Sequence, residues 1–454
     1  MRKRYFLRLL RYARIQGANL IDFSPPALLT LGFMTLIVAG AVLLKLPFAS
    51  HAPTSWLDAL FTATSAVTVT GLVVVDTGSH YTLFGQIVIA LLIQVGGLGF
   101  MTFAVVGASM LGTKIGFLQQ RVAQEAMNQT SLARVGQTAR AVLIYSLSIE
   151  FAGYVILLLR WGPELGWIQA GWEAFFYTVS AFNNAGFALN ANSLMPYAGS
   201  WVVNLVITGL FITGGIGFVV LIDVWEKRRW RLLSVNTRMV LLATLIINVT
   251  AFLLIWLLEI NNPATLAGLD WQSQALTAWF QAVTPRTAGF NTLDIAAMTN
   301  ASLVLIMLLM FIGGGSLSTA SGLKVGTFVV LMMSTFAFLR QREDVTVLKR
   351  TVPLTQVMKA LSLMMASLFL VFMGIFILDA TEHTTFLKVV FEVVSAISTV
   401  GLSIGLTGEL SEVGRVVVIF LMVAGRLGPL TLAYLIASPR RTQIRYADAK
   451  LQIG

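Results

Sequence analysis

The sequence contains no cysteine, and only 11% of its 454 residues are charged. The absence of cysteine excludes disulfides, thiolate chemistry and cysteine-ligated metals. Soluble domains carry roughly 25% charged residues, so a chain with so few of them and 57% hydrophobic residues is typical of a lipid bilayer. Apolar runs near the roughly 20 residues that cross a bilayer recur along the chain. We interpret the first of them, residues 26–48, as a retained span.

Groups that carry out covalent chemistry are also scarce. The three histidines lie in segments expected to face outward and lack metal-ligand spacing. No pair of acids within the apolar runs has a spacing suited to acid–base catalysis. The glycine patches lack the G-x-x-x-x-G-K-[ST] order of a phosphate-binding loop. We therefore expect no enzyme, no catalytic residue and no organic cofactor in this chain.

The distribution of basic residues indicates topology rather than nucleic-acid binding, despite the net charge of +11. Twenty-four of the 31 Lys and Arg residues lie in five segments, which the positive-inside rule assigns to the cytoplasm. The segments between them are almost free of Lys and Arg. This pattern predicts eight full spans in a multi-pass protein of the cytoplasmic membrane, with both termini inside. The five basic segments are 1–14, 114–140, 227–238, 340–359 and 440–450.

One sequence unit repeats four times. Each outward excursion contains a short apolar stretch that ends in small and polar residues and one glycine. These glycines are 103 to 115 residues apart, which marks an internal repeat of about a quarter of the chain. A second glycine patch follows each of them after 24 to 28 residues. The stretches are LFTATSAVTVTGL, FFYTVSAFNNAGF, WFQAVTPRTAGF and VFEVVSAISTVGL, and the patches begin at Gly96, Gly214, Gly313 and Gly425.

The repeated unit predicts an all-α integral membrane protein. Apolar stretches of about a dozen residues are too short to span and are typical of re-entrant helices. Non-helical backbone at membrane depth is tolerated only where protein or a water-filled cavity satisfies it. We therefore expect four membrane-pore-membrane repeats around a central pseudo-fourfold pore. The predicted boundaries are a cytoplasmic segment at 1–24, repeats at 25–113, 114–226, 227–339 and 340–439, and a cytoplasmic tail at 440–454.

The four turns are candidates for an ion filter. A short helix followed by an extended turn would direct backbone carbonyls at the pore axis, as in channels where carbonyl rings replace the hydration shell of an ion. Glycine supplies backbone angles that other residues adopt at a cost, and the negative helix ends favour a cation. The candidate carbonyl donors are Val69, Thr70 and Gly71, Asn184, Ala185 and Gly186, Thr287, Ala288 and Gly289, and Thr399, Val400 and Gly401.

The second span of the third repeat is a candidate gate. It contains no strong helix former between Gly313 and Gly322, so the helix should break at mid-depth and could plug the pathway. Close packing of small residues between helices is the alternative. Lys324 either belongs to the gate or extends to the cytosol, and Arg426 is expected midway along the last span. The candidate gate residues are Gly313, Gly314, Gly315, Ser316, Ser318, Thr319, Ser321, Gly322, Lys324 and Arg426.

Three other ionisable residues lie at membrane depth, where such residues are functional candidates by default. Glu150 is expected to pair with a neighbouring polar group. Arg286, inside the third turn, is expected to hold loop carbonyls, because its charge would repel a cation in the pathway. Glu392, in the fourth short helix, is expected to support its loop in a similar way.

At these residues the chain resembles the Trk/Ktr/HKT superfamily of cation transporters, most closely its bacterial Ktr-type potassium-translocating branch. TVTGLVVVDTG, SAFNNAGFALN, VTPRTAGFN and STVGL resemble the four pore-loop signatures of that family in their usual order. The resemblance implies potassium uptake driven by the membrane potential and stimulated by sodium, with K+ bound at the filter carbonyls. It also implies an intramembrane gating loop and a basic residue at Arg426. In that family, glycine at all four filter positions goes with potassium preference and serine at the first position goes with sodium permeation, and Gly71 matches the potassium pattern.

The resemblance further implies partners. It implies a homodimer seated on a cytoplasmic ring of nucleotide-binding regulatory subunits of the RCK type. Because the short cytoplasmic loops of this chain carry no nucleotide-binding domain, control by a nucleotide would have to come from another chain. The tail at 440–454 either contributes to these contacts or lies near anionic lipid. Sodium coupling and passive, channel-like uniport stay open as alternatives. A transporter of organic solutes with a midplane site is disfavoured, because such folds typically show twofold rather than fourfold repetition.

Overall fold

The computed structural model of the chain describes residues 25–99, 102, 135–342 and 344–428. The predicted cytoplasmic segment 1–24, most of the basic segment 114–140 and the predicted tail 440–454 lie outside these residues. The described part is mostly helical, as the sequence predicts. In chain order its helices are α1 (Pro25–Leu44), α2 (Trp56–Val67), α3 (Thr77–His80), α4 (Leu83–Leu98), α5 (Val135–Leu165), α6 (Trp167–Phe182), α7 (Trp201–Ile216), α8 (Phe218–Lys227), α9 (Val235–Glu259), α10 (Trp271–Val283), α11 (Asn300–Phe311), α12 (Val325–Leu339), α13 (Leu354–Thr381), α14 (Phe386–Ser398) and α15 (Glu412–Leu427).

One short β-hairpin lies in the basic segment 340–359. Its strands are β1 (Thr346–Val347) and β2 (Arg350–Thr351), which pair antiparallel. The two residues between them, Leu348 and Lys349, have φ values of 48° and 65°. Positive φ at both turn residues is the geometry that matches the twist of a two-residue hairpin.

Within the described ranges, four helices are long and apolar enough to cross a membrane, and five spans result if α7 and α8 are counted as one. The long helices are α1, α5, α9 and α13, and each carries large exposed apolar side chains. Phe151 is 67% exposed and Phe376 is 73% exposed, for example. Side chains of this kind are suited to contact with lipid tails rather than water.

The second helix of each sequence unit is shorter than expected. We predicted eight full spans with a single interruption, but α4, α7, α11 and α15 have only 12 to 16 residues. Three of them end at a glycine with positive φ, at Gly99, Gly217 and Gly428. These backbone angles stop an α-helix, and at Gly217 the chain turns by 96° between α7 and α8.

The helices form four groups, each with a long helix, a short buried helix and a second helix. The groups are α1, α2 and α4, then α5, α6 and α7, then α9, α10 and α11, and finally α13, α14 and α15. Each short helix packs against the long helix before it. Each second helix also packs against the short helix of the next group, and α15 returns to α2. The packing therefore closes on itself, and an ion pair of 2.6 Å between Arg415 and Asp58 joins the last group to the first.

Two buried glutamates, Glu259 and Glu382, each fix the start of the second helix in their own group. Glu259, at the end of α9, is fully buried and accepts hydrogen bonds from the amide and hydroxyl of Thr299 at 2.9 and 2.8 Å and from the hydroxyl of Ser302. Glu382, after α13, accepts from the amide and hydroxyl of Ser411 at 3.0 and 2.6 Å. Each carboxylate thus binds the free donors at a helix start, which otherwise would need water.

We expect Glu259→Gln to lower the thermal stability of the detergent-solubilised protein. The glutamine amide would direct donor atoms at groups that are themselves donors, which costs about 1–3 kcal/mol for each buried group left unsatisfied. The control is Glu164→Gln, which removes an exposed pair with Arg160 and should change stability by about 0.5 kcal/mol at most. Equal shifts of the two unfolding temperatures would contradict this role of Glu259.

Candidate functional site

The four predicted turns share one backbone conformation. Each follows the end of a short helix, and its glycine has a φ value between 71° and 92°. The residue two positions before each glycine also has positive φ, between 49° and 70°, although it carries a side chain. We call these four three-residue segments together the loop ring. It consists of residues 69–71, 184–186, 287–289 and 399–401, and the side-chain-bearing residues with positive φ are Val69, Asn184, Thr287 and Thr399.

The loop ring is closed. A methyl group placed on the glycine of any loop would lie within 3.0 Å of a carbonyl oxygen of the next loop. The oxygen in question always belongs to the residue before the next glycine. In order, Gly71 faces Ala185, Gly186 faces Ala288, Gly289 faces Val400 and Gly401 faces Thr70. The structure therefore brings all twelve predicted loop residues together, and the glycines are required by close backbone approach as well as by their φ values.

Most amide groups of the loops donate hydrogen bonds back toward the short helices. The residue before each glycine donates its N–H to the carbonyl of a residue four or five positions earlier, at 2.8 to 2.9 Å. Gly71 and Gly401 donate to the hydroxyls of Ser65 and Ser395 at 3.0 and 3.1 Å. Within the described residues, no hydrogen bond is donated to any carbonyl oxygen of the loop ring. The ring thus presents oxygen atoms that have no protein donor.

These oxygens are chemically suited to a desolvated monovalent cation. Buried carbonyl groups need a partner, and rings of carbonyls substitute for the water around such an ion. The C-terminal ends of α2, α6, α10 and α14 directly precede the loops, and their negative partial charge also favours a cation. No residue of the loop ring is ionisable, and the described residues contain no cluster of His, Asp or Glu suited to a metal.

A buried network of polar side chains lies behind the second loop. Asn183 donates to the Gln94 amide oxygen at 2.7 Å, and Gln94 donates to both carboxylate oxygens of Glu150 at 3.0 Å. This confirms that Glu150 has polar neighbours.

Behind the fourth loop, the carboxylate of Glu392 accepts from the hydroxyls of Ser403, at 2.7 Å, and Thr407. Glu392 therefore holds the chain that leaves its loop, in line with the supporting part expected from the sequence.

The hydrogen-bond partner that we expected for Arg286, a carbonyl of the pore loops, was wrong. Its guanidinium does not hold a carbonyl of the loop ring. It donates to the side-chain oxygen of Asn248 on α9 at 2.9 Å and to the carbonyl of Gly313 at 3.2 Å. The side chain leaves the third loop away from the ring, so the oxygens within its reach belong to α9 and to the segment after α11.

The segment after α11, residues 313–324, is non-helical, as predicted. It returns on itself, because Gly313 donates to the Leu323 carbonyl and Val325 to the Gly314 carbonyl, each at 2.9 Å. The amide of Gly315 donates to the Gly215 carbonyl at 2.7 Å. Methyl groups on the three glycines that begin the segment would lie within 3.0 Å of backbone oxygens, so their small size is required. We call residues 313–324 the interrupted segment.

The interrupted segment contacts the second loop directly. The Thr319 hydroxyl lies 2.8 Å from the Asn184 side-chain oxygen and 3.2 Å from the Phe182 carbonyl. Within the segment, Ser318 donates to the Gly315 carbonyl at 2.7 Å. The Ser316 carbonyl lies against Gly217, where α7 ends, and Gly322 has a φ value of 66°. The glycines of the interrupted segment allow a folded turn, and its hydroxyls form hydrogen bonds to neighbouring backbone. Close packing between helices would require neither feature.

Two basic side chains bind the interrupted segment. Lys324 donates to the Ala320 carbonyl at 2.5 Å, so its ammonium group lies on the segment. Arg426 donates to the Thr319 carbonyl at 2.5 Å, to the Ser321 hydroxyl at 3.2 Å and to the Gly97 carbonyl at 3.0 Å. Arg426 lies in the last turn of α15, which ends just before Gly428.

The sequence reasoning missed the residues that end the second helices. Gly99, Gly217 and Gly428 each follow the first glycine of a patch by three residues, whereas the third patch has Ser316 there. The repeated G-x-x-G spacing was the available signal.

The first glycines of those patches had no assigned reason either. Methyl groups on them would lie within 3.0 Å of the last carbonyls of the short helices, so they permit direct backbone packing. They are Gly96, Gly214 and Gly425, which face Val67, Phe182 and Ile397.

Comparison with known proteins gives a consistent result. Residues 27–444 match the family model TrkH, described as a cation transport protein. The chain is 48% identical over 434 residues to the Ktr system potassium uptake protein B of Bacillus subtilis, covering 96% of this chain and 98% of that protein. It is 44% identical to the protein of the same name from Vibrio alginolyticus, covering 94% and 95%. The crystal structure of the potassium transporter TrkH from Vibrio parahaemolyticus has a similar fold, with a TM-score of 0.74 and 24% identity, covering 92% of this chain and 86% of that one.

We expect Gly289→Ala to destabilise the loop ring. Alanine at a φ of 79° costs roughly 1–2 kcal/mol, and its methyl group would also collide with the Val400 carbonyl. The unfolding temperature in detergent should fall clearly. Gly209→Ala is the matched control, because Gly209 lies in α7 with no atom within 4 Å of an added methyl group. A variant at Gly289 as stable as the one at Gly209 would show that the loops do not approach each other this closely.

Proposed function

This chain belongs to the TrkH family of cation transport proteins, and from that premise we propose that it takes up potassium across the cytoplasmic membrane through the loop ring. The resemblance stated from the four turn motifs is confirmed at the level of the family. The chain is a multi-pass membrane protein, and its relatives are named as transporters rather than enzymes.

The observation that supports the proposal most strongly is the pairing pattern of the loop backbone. Most of the amides donate back toward the short helices, and the carbonyl oxygens of the ring receive no hydrogen bond from the described residues. In a membrane interior an unsatisfied backbone carbonyl costs several kcal/mol. A potassium ion that has lost its water would satisfy these oxygens, and they would satisfy the ion. Each potassium ion gains about 2.3 kcal/mol for each 100 mV of inward-directed potential.

Potassium is the substrate we propose because of the relatives and because of the first loop. Two proteins with 48% and 44% identity are named potassium uptake proteins. All four loops of this chain keep the glycine, including Gly71. Each loop keeps only one glycine, so the filter would have fewer stacked carbonyl rings than a potassium channel. We propose stimulation by sodium as the family resemblance implies, with passive uniport as the alternative.

The interrupted segment is the proposed gate. It lies between the second loop, which Thr319 contacts, and Arg426, which also binds the end of α4. Most of its bonds use hydroxyls and single backbone groups, which can be exchanged for water when the segment moves. Arg426 and Lys324 place positive charge beside the interrupted segment. This charge opposes cation passage while the segment is in place.

The four helix groups support the proposed four membrane-pore-membrane repeats around one pathway. Their packing closes from α15 back to α2, and the loops lie inside that cycle of contacts. We propose that the termini and the β-hairpin at residues 346–351 face the cytoplasm, since the hairpin lies in a segment rich in Lys and Arg.

We propose that another chain regulates this one. The relatives are named as one protein, B, of a Ktr system, which implies at least one further component in those systems. A homodimer on a cytoplasmic ring of nucleotide-binding subunits of the RCK type is the assembly that the family resemblance implies. The hairpin and the basic segment around it are the proposed contact region among the described residues, because they lie on the proposed cytoplasmic face.

We expect Gly71→Ser to increase sodium permeation. Serine at a φ of 92° would displace the Ala185 carbonyl and loosen the fit to potassium. The measurement is rubidium and sodium flux into proteoliposomes, with and without external sodium, for the unaltered chain and the variant. Sodium flux that stays unchanged relative to rubidium would argue that Gly71 is not in the pathway. The unaltered chain in the same assay separates sodium-stimulated uptake from passive uniport.

Deletion of residues 315–321 should raise cation flux severalfold, because the pathway would lose its plug. The proteoliposome assay above measures this, and a monodisperse elution profile checks that the deletion protein is folded. Gly209→Ala serves as a control change outside the pathway, and it should leave flux unchanged. Unchanged or abolished flux in a folded deletion protein would contradict the gating role.

A further inference from the structure

Arg286 occupies a position that differs in all four loops. It lies three residues before the loop glycine, where the other loops have Thr68, Asn183 and Ser398. Thr68 bonds to its own helix and loop, and Asn183 bonds to Gln94 and Glu150. Arg286 is the member of this set whose side chain bonds to the interrupted segment, at the Gly313 carbonyl.

The guanidinium of Arg286 joins three parts of the molecule. Its backbone belongs to the third loop, directly before Thr287. One terminal nitrogen donates to Asn248 on α9 at 2.9 Å, and the other donates to the Gly313 carbonyl at 3.2 Å. A weak contact of 3.5 Å reaches the hydroxyl of Thr244, also on α9. The planar, forked guanidinium can make these bonds simultaneously, which a lysine ammonium of the same charge cannot do in the same geometry.

The surroundings of the Arg286 side chain would allow it to exchange hydrogen-bond partners. The side chain is 8% exposed, and none of the ion pairs among the described residues includes it. Its charge is balanced by neutral oxygens and by the C-terminal end of α10, which just precedes it. Its Nε atom has no hydrogen-bond partner. A cavity of about 20 Å3, enough for roughly one water molecule, lies beside it and is lined by Thr244, Asn248, Gly215 and Gly314.

We propose that Arg286 is a positioning residue that couples the third loop to the interrupted segment. The inference rests on the proposed function of the loop ring as filter and of the interrupted segment as gate. While the segment is in place, the Gly313 carbonyl holds the guanidinium and thereby the third loop. When the segment moves, that bond is lost, and the third loop changes its support at the same time. Gate position and ion affinity are then linked through one side chain.

The test is a double-mutant cycle on transport. Arg286→Gln and Arg286→Lys are made in the full chain and in the chain lacking residues 315–321, and KM and Vmax for rubidium are measured in proteoliposomes. We expect Arg286→Gln to raise KM about fivefold or more in the full chain. In the deletion chain it should change KM little, because the Gly313 carbonyl is no longer held in place by the rest of the interrupted segment. Arg286→Lys should restore part of the affinity, because it keeps the charge but not both hydrogen bonds.

The control is Ser398→Ala, at the equivalent position of the fourth loop, whose side chain makes no hydrogen bond to the interrupted segment. Its effect on KM should be the same in both chains. An effect of Arg286→Gln that is equally large in both chains would overturn the coupling and leave a local role in the loop. Absence of rubidium flux in the unaltered chain would instead contradict the proposed function.

Hydrogen exchange provides a readout that does not depend on transport. In the full chain in detergent, Arg286→Gln should increase amide exchange of both the third loop, residues 284–290, and the interrupted segment, residues 313–324. Ser398→Ala should leave exchange of the interrupted segment unchanged. Faster exchange in the third loop alone would overturn the proposal even if the substitution also impaired transport.

Discussion

The constraint on which the rest of the structure depends is the need to satisfy backbone carbonyls at membrane depth. A helix satisfies its own carbonyls, but the loop ring consists of turns with positive φ values. Most of its amides bond back toward the short helices, and its oxygens receive no hydrogen bond from the described residues. Such a ring needs partners for its oxygens and surrounding helices that hold it. The four short helices provide that support, because each ends directly before a loop, and the closed packing from α15 to α2 keeps the loops together.

Close backbone approach explains the distribution of glycine. Glycines of the loop ring face carbonyls of the next loop, and the first glycines of three patches face the last carbonyls of the short helices. The third group departs from this rule, because Gly313 faces Ser321 of its own interrupted segment instead of a short helix. The second helix there cannot pack against α10 in the same way, and the space is taken by a folded segment. One local change in a repeated pattern thus creates the candidate gate.

Much of the fold and of the candidate site could be predicted from the sequence, since periodic glycines and short apolar stretches report local backbone demands. The twelve loop residues and the interruption after Gly313 were found in this way. The breaks at Gly99 and Gly217 were missed, because apolar runs that continue through a glycine suggest continuous helices. The partner of Arg286 was also missed, because Asn248 and Gly313 lie 38 and 27 residues away in the chain, and no local pattern identifies such contacts.

The sequence by itself determined the class of protein, the fourfold unit and the residues whose backbone must be small or strained, because composition and spacing act locally along the chain. Only the tertiary structure decided which atoms meet. It closed the ring by placing each glycine against the carbonyl of the next loop, set Thr319 against Asn184 and aimed Arg286 at Gly313. Those contacts join residues more than a hundred positions apart in several cases, and their geometry follows from how the helix groups pack around one another.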